Sequence, residues 1–432
     1  MTAKHFIAID LEPGQGRVCL ATADAGSVSS SLLHSFPIVP LDLPGGPVWD
    51  IYAIFSEVVK GLAIAGHRNV EPVSVGITGW GGDLVAMTRD GSFCGLPGVS
   101  AQDPVPEKYI QGLHKRLPED TIYARSGVHS GSADTLRRLY AMRRRKSPAL
   151  KAARYFLYLP AAIAWMLSGE RFTEASIHSA SGLMNRDKGK TDKELLSACK
   201  VKASRFPALV APGRRVGRLS DEVARKTGLG KAYIVAVAQY APVSAVQATP
   251  ASSAEFAAVY CGSSAFVAME TEVFCQGPDH CRAADGRLLA FREVPGLEAV
   301  NRLRERWDAE DKSYSREELD NLGLPEEDAA EARRLYEGIA GGISGAVQEI
   351  AAATGRPVHA IHITGEGSAD RRLCQTVADL SGITVVSGPV DPVITGNVIQ
   401  QARSAGVFKS LTEARETVRR CSSTIIFSAI GK

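Results

Sequence analysis

Short apolar runs alternate with glycine-rich turns along this chain, and the spacing of apolar positions changes between strand-like and helix-like. Residues 6–11 form an apolar run closed by a turn at 12–16, and residues 17–22 resume β-prone alternation, so the pattern predicts a β-hairpin. Residues 50–65 place apolar side chains at helical spacing. A strand predicted at 73–77 then runs into a glycine-rich loop, which indicates a mixed α/β fold.

The middle of the chain continues this alternation. Residues 135–169 have a helical pattern, and strands are predicted at 234–238 and 256–260. Residues 304–334 are highly charged, which predicts a surface loop leading into an exposed helix. A long helix is predicted at 335–353.

Four glycines of that long helix fall mostly on one face: Gly338, Gly341, Gly342 and Gly345. Since glycine costs helix stability, they predict the close approach of another backbone. After this helix the chain gives a strand at 359–363, a glycine-rich loop at 364–368 and a strand at 383–386. Such a loop at a strand's carboxyl end is where open α/β sheets bind phosphates and nucleotides.

Composition excludes several classes of protein. The chain has 432 residues, 45% of them hydrophobic and 22% charged, which is typical of a globular protein of two or three domains. The net charge of +3 is too small to indicate a nucleic-acid partner. The eight cysteines contain no CxxC pair and predict buried, reduced thiols. No apolar run approaches the roughly 18 residues that span a bilayer, so we expect a cytoplasmic protein without a membrane segment.

Four loops carry the candidate chemistry, at residues 10–16, 79–83, 262–264 and 365–368. Glycine turns after strands are common, so each loop alone is weak evidence for a site. Their order is more informative: an aspartate ends the first strand, a Gly-Ser loop follows the midpoint, and a Gly-x-Gly loop comes late in the chain.

This order is similar to that of the actin-like, ribonuclease H-like ATPases. In particular the chain resembles the FGGY family of carbohydrate kinases, and within it the rhamnulokinase branch. The resemblance is carried by Val-Gly-Ile-Thr-Gly-Trp-Gly-Gly-Asp at 75–83, Gly-Glu-Gly-Ser at 365–368 and Gly-Pro-Val-Asp-Pro-Val-Ile-Thr-Gly-Asn at 388–397. It extends from Ile7 to about Gly406.

The resemblance implies an α/β protein of two ribonuclease H-like (actin-like ATPase) domains with a central cleft. The sugar-binding domain would span residues 1–234 and the nucleotide-binding domain residues 235–432. It further implies ATP and Mg²⁺ as cofactors and transfer of the γ-phosphoryl group to a hydroxyl of a ketose such as L-rhamnulose. The expected partners are therefore small molecules, and the expected assembly is a monomer or a homodimer.

The resemblance assigns the sugar side to Trp80, Gly81, Asp83 and Asp103. An indole offers an apolar wall, and a carboxylate accepts hydrogen bonds from hydroxyls. A core aromatic is the alternative interpretation of Trp80.

The nucleotide side is assigned by the same resemblance to residues in or near the glycine loops: Gly14, Gly16, Arg17, Gly262, Ser263, Gly365, Gly367, Ser368 and Asn397. Asp10 would hold the metal through water molecules, or would only stabilise its turn.

The pattern departs from the family where catalysis takes place. The family's base is the aspartate of an Ala-Ser-His-Asp segment, whereas residues 238–241 read Ala-Gln-Tyr-Ala, so Ala241 occupies the position of the base. Loss of a positioned base costs roughly 10²–10⁴-fold in rate. Thr78 stands where the family has aspartate, and Glu12 and Glu366 add negative charge to two of the loops.

Two functions follow from these observations. One is an ATP-dependent sugar kinase in which Asp83 or a metal-bound water replaces the missing base. The other is a catalytically degenerate relative that binds a sugar or a nucleotide without efficient phosphoryl transfer. Family membership alone does not decide between them.

Overall fold

The structure, a computed structural model, describes residues 3–68, 70–99, 102–129, 134–230, 232–312 and 314–430. The chain forms two compact units. The first comprises Met1–Ser244, Asp279–Arg287 and Asn397–Ser410, and the second comprises Ala245–Pro278, Leu288–Gly396 and Leu411–Lys432. Among the described residues, no helix has both the length and the apolar character needed to cross a bilayer.

Strands and helices alternate through the chain. The strands are β1 Lys4–Glu12, β2 Gly14–Ala23, β3 Val28–Ile38, β4 Leu41–Leu43, β5 Gly46–Val48, β6 Ser74–Thr78, β7 Leu84–Met87, β8 Tyr155–Tyr158, β9 Thr173–Glu174, β10 Met184–Asn185, β11 Lys190–Thr191, β12 Leu209–Val210, β13 Arg214–Arg218, β14 Tyr233–Ala236, β15 Phe256–Cys261, β16 Ser264–Thr271, β17 Asp279–Arg282, β18 Leu288–Pro295, β19 Ala360–Thr364, β20 Thr384–Ser387 and β21 Ile426–Phe427. The helices are α1 Ile51–His67, α2 Glu107–His114, α3 Glu119–Ser126, α4 Asp134–Arg144, α5 Pro148–Ala152, α6 Leu159–Ser168, α7 Ala175–Ala180, α8 Lys193–Ala198, α9 Asp221–Thr227, α10 Ala241–Gln247, α11 Glu298–Ala309, α12 Arg316–Asn321, α13 Glu326–Thr354, α14 Glu366–Ala369, α15 Arg371–Ser381, α16 Pro392–Ser404 and α17 Leu411–Cys421.

The first unit is built on a sheet with the order β13-β14-β6-β1-β2-β3. The strands β1, β2 and β3 form an antiparallel meander, while β6 runs parallel to β1 and β14 parallel to β6. The predicted hairpin is confirmed. Its turn places Pro13 and Gly14 between the paired residues Glu12 and Gln15, and Gly14 has φ +96°, which a type II turn requires at its third position.

The helix predicted at 50–65 is confirmed as α1, which packs on this sheet. The Asp50 side chain accepts hydrogen bonds from the N–H groups of Tyr52 and Ala53 and so caps the first turn. The buried face of α1, including Ile54 and Val58, joins the core formed by β1 and β6. That packing fixes the strands whose carboxyl ends carry the candidate site.

The second unit repeats the same strand order. Its sheet contains β18-β16-β15-β19-β20-β21, in which β15, β16 and β18 form the antiparallel meander and β19 and β20 run parallel to β15. In both units, therefore, the first strand of a meander pairs in parallel with a strand from later in the chain. This confirms the mixed α/β, ribonuclease H-like expectation.

Two of the secondary-structure predictions are wrong. The helical pattern of residues 135–169 is interrupted by β8, because the backbone of residues 155–158 pairs in antiparallel fashion with β7. Residues 304–334 are largely helical: α12 begins with a capping box between Ser315 and Glu318, and α13 begins with three acidic residues that favour a helix start. An apolar cluster lies within this segment and includes Leu303, Trp307 and Leu319. The many charged residues around these three positions made the segment look like a surface loop.

The explanation predicted for the glycines of α13 is also wrong. A Cβ at Gly338, Gly341 or Gly345 would meet no described atom within 4 Å, and one at Gly342 would lie 3.7 Å from Val294 Cβ. No backbone therefore approaches this face within the part of the chain that the structure describes.

A buried histidine links three elements of the first unit. His178 Nδ1 lies 3.0 Å from the Tyr158 hydroxyl, and His178 Nε2 lies 2.9 Å from Thr191 Oγ1. Burial lowers the pKa of His178 to about 3. The imidazole is therefore neutral in the folded protein at any pH near neutrality.

Lowering the pH should destabilise the protein through this group. Below about pH 6.5 an unfolded chain binds a proton that folded His178 excludes, so stability falls with falling pH, by about 1.4 kcal/mol between pH 7.5 and pH 5.5. We expect the free energy of unfolding of the His178→Gln variant to fall by about 1.4 kcal/mol less over this pH range than that of wild type, because glutamine binds no proton. The pH dependence that comes from other titratable groups should be the same in both proteins. Urea unfolding of both proteins at the two pH values measures it, and equal pH dependence would contradict the assignment.

Candidate functional site

The carboxylate of Asp10 lies at the end of β1, where the sheet places it between two donors. Asp10 is opposite Arg17 on β2 and Thr78 on β6. Arg17 Nη2 donates to Asp10 Oδ2 at 2.7 Å, and Thr78 Oγ1 donates to Asp10 Oδ1 at 2.9 Å. Since Asp10 is only 1% exposed, the ion pair with Arg17 is weakly screened by water.

These contacts limit what Asp10 offers to a metal ion. Among the described residues, no three His, Cys, Asp or Glu side chains are grouped to hold one. Mg²⁺ usually keeps several waters and is held by one or two carboxylates together with substrate phosphates. Asp10 fits a water-mediated contact to an ion carried by a nucleotide, and does not fit a cage made only of protein ligands.

Two glycines shape the hairpin beside Asp10. Gly14 is exposed at the turn, whereas Gly16 is buried beneath Phe36, and a Cβ at Gly16 would lie 2.2 Å from that ring. Glu12 is half-buried in the same hairpin. Gly16 is therefore explained by packing, and the exposed backbone at Gly14 is the part of this hairpin that a ligand can reach.

Asp83 is held by two tryptophans. Trp49 Nε1 donates to Asp83 Oδ2 at 2.6 Å, and Trp80 Nε1 donates to the same oxygen at 2.8 Å. The two indole rings lie 4.9 Å apart, centroid to centroid. Asp83 is 5% exposed, so this pair of donors fixes the orientation of a nearly buried carboxylate.

Asp83 and Asp103 line one cavity of the first unit, with a volume of about 160 Å³. Arg138 and Arg145 line it too. Arg145 Nη1 donates to Asp103 Oδ2 at 3.0 Å, and Arg138 Nη2 donates to the Asp103 carbonyl oxygen at 3.1 Å. The structure thus brings two of the predicted sugar-binding residues together, and Trp80 joins them through its bond to Asp83.

The segment that contains Ala241 is tied to the end of β6. Gly79 N–H donates to the Gln239 carbonyl at 2.9 Å, and Ala241 N–H donates to the Gly79 carbonyl at 3.0 Å. Ala241 is 6% exposed and is the first residue of α10. The Tyr240 ring lies 3.6 Å from where a Cβ would stand at Gly81. The position of the missing base therefore lies beside the predicted sugar loop.

A buried carboxylate holds the other side of this segment. Glu174 Oε2 accepts the Gln239 N–H at 3.0 Å and the Ser176 hydroxyl at 2.6 Å, and Ser176 Oγ accepts the Tyr240 N–H at 3.3 Å. Complete burial raises the pKa of the Glu174 carboxyl to about 7, although the hydrogen bonds from Ser176, Gln239 and Ile177 oppose that shift. Residues 239 and 240 are thus fixed on both sides.

In the second unit, the predicted Gly-Ser loop joins β15 to β16. Ser263 is exposed, and its carbonyl accepts the N–H groups of Gly296 at 3.2 Å and Glu298 at 3.3 Å. Gly262 N–H donates to the Ser264 carbonyl at 2.9 Å, so this amide is used within the loop. The exposed Ser263 hydroxyl is the group that the loop presents.

The loop after β19 packs against the same hairpin. Gly365 has φ +83° and ψ −163°, and a Cβ there would lie 2.6 Å from the Cys261 carbonyl oxygen. A Cβ at Gly367 would lie 2.7 Å from Cys261 Cβ. Ser368 is buried and its hydroxyl donates to the Gly365 carbonyl at 2.7 Å, whereas Glu366 is exposed. The two predicted nucleotide loops of this unit are therefore in contact through Cys261.

A groove of about 1000 Å³ opens beside Ser263. Its walls come from the β16–β18 edge, α11 and α13, and they include Gly296, Arg302, Arg334 and Gly338. The volume is at the upper end of the roughly 300–1,000 Å³ found for sites of drug-sized ligands.

Asn397 belongs to the first unit and is completely buried there. Its Nδ2 donates to the Ile9 carbonyl at 3.4 Å, and its Oδ1 accepts from Gln401 Nε2 at 2.7 Å. Both ends of the amide are therefore engaged with protein, and a nucleotide role for Asn397 stays a prediction.

Sequence reasoning missed five residues of this region: Trp49, Arg138, Arg145, Glu174 and Ser176. Trp49 and the two arginines come from distant segments, and no local pattern marks them. Glu174 ends the stretch Phe-Thr-Glu at 172–174, which also resembles the family, and that resemblance is the signal that could have found it.

Comparisons with known proteins identify the family of the chain and its fold. The profile of the FGGY family of carbohydrate kinases, N-terminal domain, matches residues 40–246, and that of the C-terminal domain matches residues 296–405. A rhamnulokinase of Bacteroides thetaiotaomicron is 28% identical over 96% of this chain and 94% of its own length. Two solved structures from Lactobacillus acidophilus, a gluconate kinase (TM-score 0.84) and a ligand-bound xylulose kinase (TM-score 0.83), are each 16% identical and cover 99% of this chain and 94% of their own.

The contact between the two loops of the second unit predicts a steric penalty at Gly365. We expect Gly365→Ala to lower the free energy of unfolding by about 1–3 kcal/mol more than Gly355→Ala does. The backbone angles of Gly365 are ones that essentially only glycine adopts, and the Cys261 carbonyl oxygen occupies the space that a Cβ would need. Gly355 is the matched control, since it has φ +65° and no described atom within 4 Å of its Cβ position. Urea unfolding measures the difference, and equal losses in the two variants would refute the close contact.

Proposed function

The chain belongs to the FGGY family of carbohydrate kinases, and we propose that it transfers the γ-phosphoryl group of ATP to a sugar hydroxyl. The acceptor we propose is a ketose such as L-rhamnulose, which the rhamnulokinase name of its relative supports. The sugar would bind in the first unit and the nucleotide in the second.

The observation that carries this proposal is the cavity shared by Asp83 and Asp103. Carboxylate oxygens accept hydrogen bonds from hydroxyls, and the guanidinium groups of Arg138 and Arg145 donate to them. Leu96, Leu139 and Met142 give the same cavity an apolar wall. Its volume of about 160 Å³ is much smaller than that of the groove beside Ser263 in the second unit.

The second unit offers the features expected for a nucleotide. The exposed Ser263 lies at the end of β15 beside the groove of about 1000 Å³. The groove walls carry three arginines and three glutamates, and Arg302 is paired with Glu298, so their formal charges balance. Glu366 is exposed and is absent from that lining, so it adds no negative charge to the groove walls. The exposed Gly-Ser loop and the size of the groove support ATP as the phosphoryl donor.

Phosphoryl transfer depends mainly on positioning and on stabilising negative charge. A divalent ion bound with the nucleotide would neutralise phosphate charge, and Asp10 is the residue that the family resemblance assigns to such an ion. Arg17 is held by Asp10 at the exposed edge of the β1–β2 hairpin and would contribute further positive charge. Asp83 is the residue we propose to accept the proton of the attacking hydroxyl, because Ala241 has no group that can do so.

A second candidate function is supported by Ala241 itself. A buried methyl group at the position of the base, together with an Asp10 whose two oxygens are bonded to Arg17 and Thr78, describes a protein that retains binding and has lost efficient transfer. In that case the chain would act as a sugar or nucleotide sensor, or as a partner subunit.

Calorimetry and turnover distinguish the two candidates. If the chain is a kinase, we expect ATP·Mg²⁺ binding by isothermal titration and sugar-dependent ADP release in a coupled assay over a panel of ketoses and polyols. Binding of sugar or nucleotide without turnover would favour the degenerate protein. Absence of any binding would overturn both.

Restoring the base tests the role of position 241 directly. We expect Ala241→Asp to raise turnover by up to roughly 10²–10⁴-fold, with the full gain if wild type has no proton acceptor and a smaller one if Asp83 already accepts the hydroxyl proton. The control is Ala241→Asn, because asparagine is similar in size to aspartate and cannot take up that proton. Steady-state ADP release measures both variants, and equal rates for the two would show that proton acceptance at this position is not limiting.

A further inference from the structure

The first unit has a second cavity, a groove of about 640 Å³ lined by parts of α1, α6 and α9. It shares no described lining residue with the cavity of Asp83 and Asp103, which is called the candidate sugar cavity below. Its volume falls within the roughly 300–1,000 Å³ found for sites of drug-sized ligands. We call it the aromatic groove and define it by six of its lining residues: Tyr52, Phe55, Lys60, Phe93, Trp165 and Lys226.

Three aromatic rings line this groove in a row. The ring centroids of Tyr52 and Phe93 lie 5.6 Å apart, and those of Phe93 and Trp165 lie 5.5 Å apart. Tyr52 is 54% exposed and the other two side chains are half-buried, so part of each ring is open to solvent. Aromatic rings associate favourably in tilted, edge-on and offset arrangements. An aromatic ligand would therefore cover the exposed parts of this row.

The walls of the groove are held by the core of the unit. Phe55, Phe93 and Trp165 pack against that core from three different segments of the chain. The helices α1 and α9 meet closely at Gly66, where a Cβ would lie 1.9 Å from the Thr227 carbonyl oxygen. The groove is thus formed without a ligand, which reduces the cost of binding one.

The charged side chains of the lining favour an acidic ligand. Lys60 on α1 and Lys226 on α9 line the groove together with Glu222. Lys226 Nζ lies 2.7 Å from Glu222 Oε1, and Lys60 pairs with Glu57, whose Oε2 also lies 2.7 Å from His34 Nε2. Both lysine side chains are 61% exposed, and exposed ion pairs of this kind contribute little. Since an ammonium group has three N–H donors, each lysine can also bind an anionic group of a ligand.

One segment lies between the aromatic groove and the candidate sugar cavity. Residues 91–93 line the groove, and residues 94–98 line the cavity. Phe93 and Cys94 both pair with β7, and successive side chains of an extended segment point to opposite sides. Phe93 therefore faces the groove and Cys94 the cavity, so a ligand that shifts Phe93 also acts on the wall of the cavity.

We propose that the aromatic groove is a second ligand site, which takes an aromatic molecule carrying one acidic group and acts on the candidate sugar cavity through residues 91–98. Carboxylate, sulfonate and phosphate groups share the chemistry that the two lysines recognise. The site itself does not depend on the proposed function, whereas its action on sugar binding rests on that function.

Two dyes with the same aromatic rings test the site: anilinonaphthalene sulfonate, which carries an acidic group, and phenylnaphthylamine, which carries none. We expect both to bind wild type in fluorescence titrations. Replacing both lysines, Lys60→Gln with Lys226→Gln, should weaken the sulfonate dye roughly fivefold and leave the neutral dye unchanged. Lys108→Gln is the matched control, because the exposed Lys108 Nζ lies 5.3 Å from the Tyr109 ring centroid, outside the groove.

Two further variants test whether the dyes occupy the groove. Ser56 is exposed and lines it, so Ser56→Trp should fill the groove and weaken both dyes at least roughly tenfold. Tyr52→Ala removes one ring of the row and should weaken both roughly threefold. Failure of the dyes to bind, or affinities unchanged in these variants or in the lysine variant, would overturn the inference. So would a wild-type dimer in light scattering that Ser56→Trp dissociates, since a second copy would then cover the groove.

The action on the candidate sugar cavity is measured by isothermal titration of sugars with and without saturating sulfonate dye. We expect the dye to change the sugar affinity of wild type by roughly fivefold or more and to leave that of Ser56→Trp unchanged. Equal sugar affinity with and without the dye would overturn this action while leaving the proposed function intact. If wild type binds no sugar, the proposed function fails and the action with it, and the dye titrations still decide the site.

Discussion

Two backbone hydrogen bonds between Gly79 and residues 239–241 are the constraint on which the candidate site of the first unit depends. They carry the parallel register of β6 and β14 beyond the ends of both strands. A Cβ at Gly79 would lie 2.9 Å from Pro160 Cγ, so the packing of α6 against this turn favours glycine there. These bonds hold two segments together where they leave the sheet: the loop with Trp80 and Asp83, and the segment with Ala241. A ligand that contacts one segment at this point therefore lies close to the other.

Charge around this point is balanced mostly within the protein. Arg17 neutralises Asp10, and Arg145 pairs with Asp103. Glu174 differs, because the partners that fix it are the neutral donors of Ser176, Ile177 and Gln239, and burial therefore raises its pKa to about 7. A carboxylate held in this way serves as an anchor for backbone amides. It is poorly suited to proton transfer with a ligand, since its oxygens are already occupied by the groups that it positions.

The positions of the main strands along the chain could be predicted from the sequence because they depend on local signals: apolar runs of strand length, the Pro13–Gly14 turn and the glycine loops after strands. The failures have a common cause, which is that tertiary contacts outweigh local pattern. The strand β8 is stabilised by pairing with β7, some seventy residues away in sequence, and α11 to α13 hide an apolar cluster around Trp307 within charged sequence. Site residues followed the same rule. Asp83 was recognisable from its motif, whereas Trp49, which bonds to it, lies 34 residues earlier and carries no mark of its partnership.

The departures from the family pattern are confined to side chains. Ala241 N–H still bonds to Gly79, the residue still opens α10, and the two amides before it are still held by Glu174 and Ser176. All of these contacts use backbone groups of residues 239–241, so the substitution of aspartate by alanine removes a proton acceptor without removing any of the bonds that would have positioned it. Glu174 also caps α7, because its carboxylate accepts the N–H groups of Ser176 and Ile177, so one buried side chain holds both the start of that helix and the segment before Ala241. The backbone of residues 239–241 is consequently fixed whichever side chain stands at position 241.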